Sequence, residues 1–382
     1  MALIPSGDTK QVPYQERKVQ TKIGTTLAIR IWGNEGKGTE QTDESKLWLC
    51  LHGFLDNAAT FDLVAPRMVE RGFASCMACI DFAGHGQSEG RAGGTYHALD
   101  HVADAVNIVD ALAWQRFSIM GHSFGGGIAQ AMAAVIPERV VRLVSVEALG
   151  LLPSHASTAV AMVRQNILDR DRGANPQTYN TLEECAVRRS KQNFVGSMPV
   201  GAAAVLVKRG TRPSPDAAGL VWSSDPALMR PSRWRLDETS VRSILQGITC
   251  PHAFVFASDG LWRRCTLFKL PLFSKAWMLV TKAVYWIAWA YHSISHLGLK
   301  PLVPELMLSA PLPKVAAYVH ENLMQRWLCC RTAALIQMPD GGHHPHLTHP
   351  HAFLDALTPW LQTTATHWHA ATSARAANLK SE

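Results

Sequence analysis

The chain has 382 residues, of which 47% are hydrophobic and 18% charged, a balance that excludes a disordered or fibrous protein and fits one large globular core with a sizeable insertion. Its N-terminus, MALIPSGDTKQVPYQERK, lacks the basic and apolar regions of a secretory signal, and its eight cysteines (50, 76, 79, 185, 250, 265, 329 and 330) lie largely in apolar runs, so reduced thiols in an intracellular, cytoplasmic setting are expected. The net charge of +7 is concentrated between residues 160 and 300, with 19 Lys and Arg against 9 Asp and Glu, and reads as a solvated surface, with contact to anionic lipid or an acidic substrate the alternative; no nucleic-acid partner is expected.

KVQTKIGTTLAIRIW (18–32) reads as two strands joined at a Gly turn. Short apolar runs then alternate with helix-length segments: LWLCLHG (47–53), SCMACIDF (75–82), FSIMG (117–121), VVRLVSVE (140–147), HAFVFAS (252–258) and TAALIQMPD (332–340). Continuous apolar strands alternating with helices predict the α/β class, with a mostly parallel sheet covered on both faces. Cys76 and Cys79 have zinc-like spacing, but SCMACI is one of these strands and no second pair faces it.

Two intervals break the rhythm. Residues 148–246 are too long for one crossover helix; ASTAVAMVRQNILDRD and TLEECAVRRSKQNF each predict a helix, and the interval reads as an inserted helical cap. The core is then 1–147 and 247–382, with an apolar insertion at about 260–312. Its run AWMLVTKAVYWIAWAY (276–291) is shorter than the roughly 20 apolar residues of a spanning helix and contains Lys282, which favours a buried or interfacial helix. With Arg263, Arg264, Lys269 and Lys275 nearby, residues 265–310 are a candidate for peripheral contact with an anionic membrane, against the alternative of packing on the core.

The strongest chemical signal is Gly121-His122-Ser123-Phe124-Gly125, which follows a strand-like run and precedes the helix-like GGIAQAMAAVI. Small residues there permit the sharp turn that lifts a serine hydroxyl above a sheet, making Ser123 the candidate nucleophile. Acyl transfer develops negative charge on a carbonyl oxygen, which two backbone N–H groups can stabilise. The candidate donors are Phe124, next to the serine, and Phe54, in the loop Leu51-His52-Gly53-Phe54-Leu55-Asp56-Asn57; otherwise His52-Gly53 is a tight turn with a structural histidine. The base is expected late in the chain, in Asp340-Gly-Gly-His343-His344-Pro-His346-Leu-Thr-His349-Pro350. Four histidines without an accompanying carboxylate or cysteine motif favour a loop that positions one imidazole over a metal cluster. No metal and no cofactor is called for.

HGFLDNAATFD, IDFAGHGQS, GHSFGG and GGHHPHL together resemble the α/β-hydrolase superfamily, and within it the serine hydrolase-like proteins, over roughly residues 16–260 and 313–364. In that pattern the catalytic histidine follows Gly and stands seven residues before Pro, which selects His343; His346 and His349 become loop residues. The resemblance places the acid in a G-x-x-D arrangement after the strand that follows the cap. Here Asp259 comes one residue early and Gly260 holds the expected position. Some members take the acid from the end of the preceding strand, where this chain has Glu147, the favoured candidate, with Asp259 the alternative. Asp81 in DFAGHGQS shapes a turn, and Asp104 and Asp110 read as a solvated or capping helix face.

The implied activity is hydrolysis of a small-molecule carboxylic ester or related acyl bond through an acyl-enzyme. The alternative is a binding or scaffold protein that keeps the fold without working catalytic geometry.

Overall fold

The computed structural model describes residues 12–34, 43–169, 177–191, 196–215, 218–230, 232–261, 325–330 and 332–378. The strands are β1 (Tyr14–Gln20), β2 (Thr26–Gly33), β3 (Leu47–Leu51), β4 (Cys76–Ile80), β5 (Phe117–His122), β6 (Val140–Val146), β7 (Thr211–Pro213), β8 (Leu220–Trp222), β9 (His252–Ala257) and β10 (Ala333–Met338). Eight of them form one sheet in the order β1-β2-β4-β3-β5-β6-β9-β10. From β4 to β10 all neighbours are parallel, while β1 and β2 add an antiparallel edge. Each of the six apolar runs is a strand of this sheet, and the residues of β3 to β6 are buried throughout, as double-sided burial requires.

The helices include α1 (Ala65–Glu70), α2 (Ala98–Ala111), α3 (Phe124–Val135), α4 (Ala159–Leu168), α5 (Leu182–Ser190), α6 (Val200–Gly210), α7 (Glu238–Gln246), α8 (Pro345–Thr348) and α9 (Pro350–Asn378). Side chains of α2, α3 and α7, including Ile108, Met132 and Leu245, join one apolar core with Leu49, Ile80 and Ile119. On the other face Met68 of α1 and Phe353, Leu357 and Leu361 of α9 pack with Trp48, Met77 and Val146. Alternate residues of each strand therefore feed opposite cores. The seven described cysteines are all buried thiols.

Asp104 corrects the reading of α2 as a solvated face. It is fully buried, and the Arg91 guanidinium, 2.5 Å away, compensates its charge. Asp110 does lie near the surface, paired with Arg139 and Lys22.

Between β6 and β9 the chain forms α4 to α7 and the β7-β8 hairpin. Tyr179, Cys185, Ala203, Leu206 and Val207 make a third apolar cluster there, which also takes in Leu347 of α8. Polar ties join this region to the sheet's loops: Arg209 of α6 to Asp81 at 2.9 Å, Asn57 Nδ2 to the Leu206 carbonyl at 2.9 Å, and Arg189 of α5 to Asp56 at 2.5 Å. Asp81 also accepts the Ala58 and Gln87 N–H groups, each at 2.7 Å, so its carboxylate pins the turns around it.

The run 276–291, the candidate membrane segment 265–310 and Cys265 lie outside the described residues. Among the described residues no helix is long and apolar enough to cross a membrane.

Candidate active site

Ser123 sits between β5 and α3 with φ 51° and ψ −117°, a conformation that L-residues avoid unless their surroundings impose it. What imposes it is the absence of side chains on either side. A Cβ on Gly121 would lie 2.4 Å from the Gly125 carbonyl oxygen, and one on Gly125 would lie 2.3 Å from that of Leu51. The turn is therefore sharp enough to leave the Ser123 side chain half-buried at the carboxyl end of the sheet.

The partner of that hydroxyl arrives from the far end of the chain. After β10, Gly341 and Gly342 have φ of 121° and 61°, a path that glycine follows without strain, and they bring in His343, 5% exposed. Its Nε2 lies 2.9 Å from Ser123 Oγ. Thr348 of α8 braces the loop, its hydroxyl oxygen lying 2.8 Å from the Gly341 carbonyl and 3.0 Å from that of His344. Burial, together with the neighbouring rings of His122 and His344, holds His343 well below the usual histidine range, so the resting imidazole is neutral.

The two candidate carboxylates occupy different places. Glu147 directly follows β6 with φ 53° and is 1% exposed. Its Oε1 accepts the Ala257 N–H and its Oε2 the Leu261 N–H, both at 2.7 Å, and Oε2 stands 3.5 Å from His343 Nδ1. Burial pushes the carboxyl up to about 8 against the pull of those two N–H groups. Its ionisation is thereby tied to that of His343, since a proton gained by the imidazole favours the carboxylate beside it. Asp259 is exposed, and its Oδ1 accepts the Gly342 N–H at 2.8 Å. It tethers the backbone of the histidine loop and makes no hydrogen bond to the imidazole.

Glu147 and position 260 compete for one space. A Cβ there would fall 2.4–2.6 Å from the Glu147 carboxyl atoms, so Glu147 fills the space that a side chain from position 260 would occupy. A carboxylate reaching in from β6 requires glycine at 260.

Phe54 lies in a turn closed by the Asp56 N–H on the Gly53 carbonyl, and its ring meets that of Phe124 edge to face at 6.2 Å. Phe124 opens α3, where an N–H has no intrahelical acceptor. His52 is structural: it is fully buried, its Nε2 accepts the Phe82 N–H at 3.0 Å and its Nδ1 donates to the Gly53 carbonyl at 2.8 Å.

The remaining histidines separate by burial. His346 belongs to α8 and not to a loop; it is fully buried, with Nε2 2.9 Å from Thr60 Oγ1. His349 stays exposed between α8 and α9. His344 is buried and its Nε2 lies 3.0 Å from Asp56 Oδ2, a carboxylate that also faces His122 Nδ1 at 3.5 Å. Asp56, His122 and His344 are the one group among the described residues whose ligand atoms converge closely enough to hold a metal ion. The Arg189 guanidinium, 2.5 Å from Asp56 Oδ1, already supplies the positive charge that such an ion would bring.

A family model described as the α/β hydrolase fold matches residues 47–183, the stretch that carries β3 to β6 and the Ser123 elbow. The chain has the α/β-hydrolase fold. The chain is 28% identical to a serine hydrolase-like protein of Dictyostelium discoideum over 64% of its own length and 67% of that protein's. It is 33% identical to serine hydrolase-like protein 2 of Homo sapiens over 47% of this chain and 57% of the human one. Among solved structures, the thioesterase domain from the curacin biosynthetic pathway is similar with a TM-score of 0.61 and 20% identity, covering 90% of this chain and 98% of that domain. E-2-(acetamidomethylene)succinate hydrolase is similar with a TM-score of 0.54 and 19% identity, over 92% of this chain and all of that one. At these identities the solved structures bear on the fold alone.

Asp56, Arg189 and the backbone donors on Glu147 were not singled out from the sequence as site residues. Asp56 stands inside HGFLDN and was legible as part of a motif, whereas nothing in TLEECAVRRS marks Arg189 as a partner for it.

Proposed function

We propose that this α/β-hydrolase is a serine hydrolase that cleaves carboxylic esters or related acyl bonds, with Ser123 as nucleophile, His343 as base and Glu147 as acid. The observation that carries the reading is the 2.9 Å approach of His343 Nε2 to Ser123 Oγ at a strained elbow.

His343 Nε2 takes the hydroxyl proton as Ser123 Oγ bonds to the substrate carbonyl carbon. The resulting oxyanion is held by the N–H groups of Phe54 and Phe124. Glu147 stabilises the imidazolium through Nδ1. The imidazolium returns its proton to the leaving alcohol or thiol as the carbon–oxygen or carbon–sulfur bond breaks, leaving an ester on Ser123. His343 then removes a proton from water, whose oxygen attacks that ester, and the carboxylic acid departs as Ser123 regains its proton. Residues 148–246 act as the cap that selects the acyl chain and leaving group.

Turnover of p-nitrophenyl esters of graded chain length tests the reading. Wild-type protein is expected to release p-nitrophenolate, and Ser123→Ala to lose at least about a thousandfold in kcat. Unchanged turnover in that variant would remove Ser123 from the chemistry, and no turnover by wild type across the panel would leave a fold-only binding protein.

A further inference from the structure

We propose that Asp56 and Arg189 form a latch between the 148–246 region and the catalytic loop, which makes Asp56 a positioning residue for His343. The inference rests on the reading of Ser123 and His343 as nucleophile and base.

Asp56 is 3% exposed, in the turn after β3. Arg189, at the carboxyl-terminal turn of α5, places Nη2 2.5 Å from its Oδ1. The other oxygen, Oδ2, receives His344 Nε2 at 3.0 Å and faces His122 Nδ1 at 3.5 Å. His344 is the chain neighbour of the base and His122 of the nucleophile. His122 also donates from Nε2 to the His343 carbonyl at 2.7 Å, so one carboxylate reaches both halves of the Ser123–His343 pair through single intermediates.

The packing leaves no slack. A Cβ on Gly53 would lie 2.8 Å from His122 Nδ1 and 3.1 Å from Asp56 Oδ2. The rings of His343, His344 and His346 surround that of His122 at 4.5–4.9 Å between centroids, with Thr60 on the far side of His346. Against the upward push of burial, Arg189 and then His344 and His122 hold the Asp56 carboxyl well below its ordinary range. A buried carboxylate deprived of its guanidinium is strongly disfavoured unless another cation replaces it. When α5 moves away, the charge left on Asp56 falls on the two imidazoles, and protonation of His344 sets a like charge beside His343. Docking of α5 therefore sets the base, and undocking disturbs it.

The test uses the full chain as wild type, Arg189→Gln and Arg189→Lys, with p-nitrophenyl ester kinetics and long-range 15N spectra of the imidazoles. Arg189→Gln is expected to lower kcat about ten- to a hundredfold, as small misplacements of a catalytic group do, with KM changed by less than about threefold. The acid limb of its kcat/KM profile moves to higher pH, and the His343 and His344 ring-nitrogen shifts move with it. Arg189→Lys restores most of each. A KM change alone, or His343 and His344 shifts identical to wild type in Arg189→Gln, would overturn the latch. If wild type cleaves no ester, the hydrolase reading fails by itself and the imidazole shifts still decide the latch. If Arg189→Gln does not fold, the wild-type spectrum decides: His344 must carry its proton on Nε2 to donate to Asp56, and the Nδ1–H tautomer would contradict the proposal.

Discussion

Glu147 and Gly260 show how one residue's chemistry depends on another's lack of a side chain. With the carboxylate 3.5 Å from His343 Nδ1 and two N–H groups fixing its oxygens, Glu147→Gln keeps the shape and removes the charge that stabilises the imidazolium in the proposed mechanism. We expect kcat to fall by about a thousand- to ten-thousandfold, the size of the effect where a triad acid is neutralised in place. Gly260→Ala forces the Glu147 carboxyl aside and should lower kcat at least tenfold without touching the nucleophile. Asp259→Ala, which loses only a tether on the Gly342 N–H, should cost less than either. Steady-state kinetics on one ester ranks the three, and a larger loss in Asp259→Ala than in Glu147→Gln would reverse the assignment of the acid. The sequence narrowed the acid to these two carboxylates and favoured Glu147. Deciding between them takes the position of the Glu147 side chain relative to position 260, a contact between residues 113 apart that no local pattern encodes.

At the scale of elements, periodicity carried most of the fold. Five of the six apolar runs are strands buried on both faces, the sixth, β10, is a half-buried edge strand, and the 124–135 segment is a helix because its small and apolar residues pack against the sheet. Asp104 misleads for the converse reason: a helix with a buried acidic residue looks solvated until its partner Arg91, outside the helix, is known. Thr181 caps α5 by accepting the Glu184 N–H at 3.1 Å, while the Glu184 carboxylate accepts the Asn180 N–H at 2.8 Å. Replacing Thr181 by Ala should cost about 1 kcal/mol of local stability. Because α5 carries Arg189, the loss should appear as faster amide exchange within α5 before any change in β5 or β6. Uniform loosening of the whole molecule would contradict this separation.

Across the whole molecule, buried histidines set the response to acid. His52, His85, His101, His252, His343, His344 and His346 are all held below the usual histidine range, in each case chiefly by burial. Each stays neutral when folded but takes up a proton on unfolding below about pH 6.5, so their contribution to stability is full above that pH and lost as pH falls towards the folded values. For His344, with a folded value of about 4, the loss across that window is about 3 kcal/mol. Glu147 acts in the opposite sense. Its raised value favours the folded state at low pH and loses that contribution as pH rises through about 8, and burial raises the carboxyls of Asp62 and Glu44 in the same sense. The melting temperature should therefore fall steadily from pH 7.5 to pH 5, and a flat profile would mean that these histidines are not buried as described.

The central claim is that Ser123 is a nucleophile activated by His343 and Glu147. Intact-mass measurement of the purified chain with a fluorophosphonate probe tests it most directly. The account predicts a single covalent adduct on Ser123 in wild type, none at that position in Ser123→Ala, and labelling slowed by at least about a hundredfold in His343→Gln and Glu147→Gln. Labelling of the two latter variants at the wild-type rate, or a wild-type protein that takes up no probe, would contradict it.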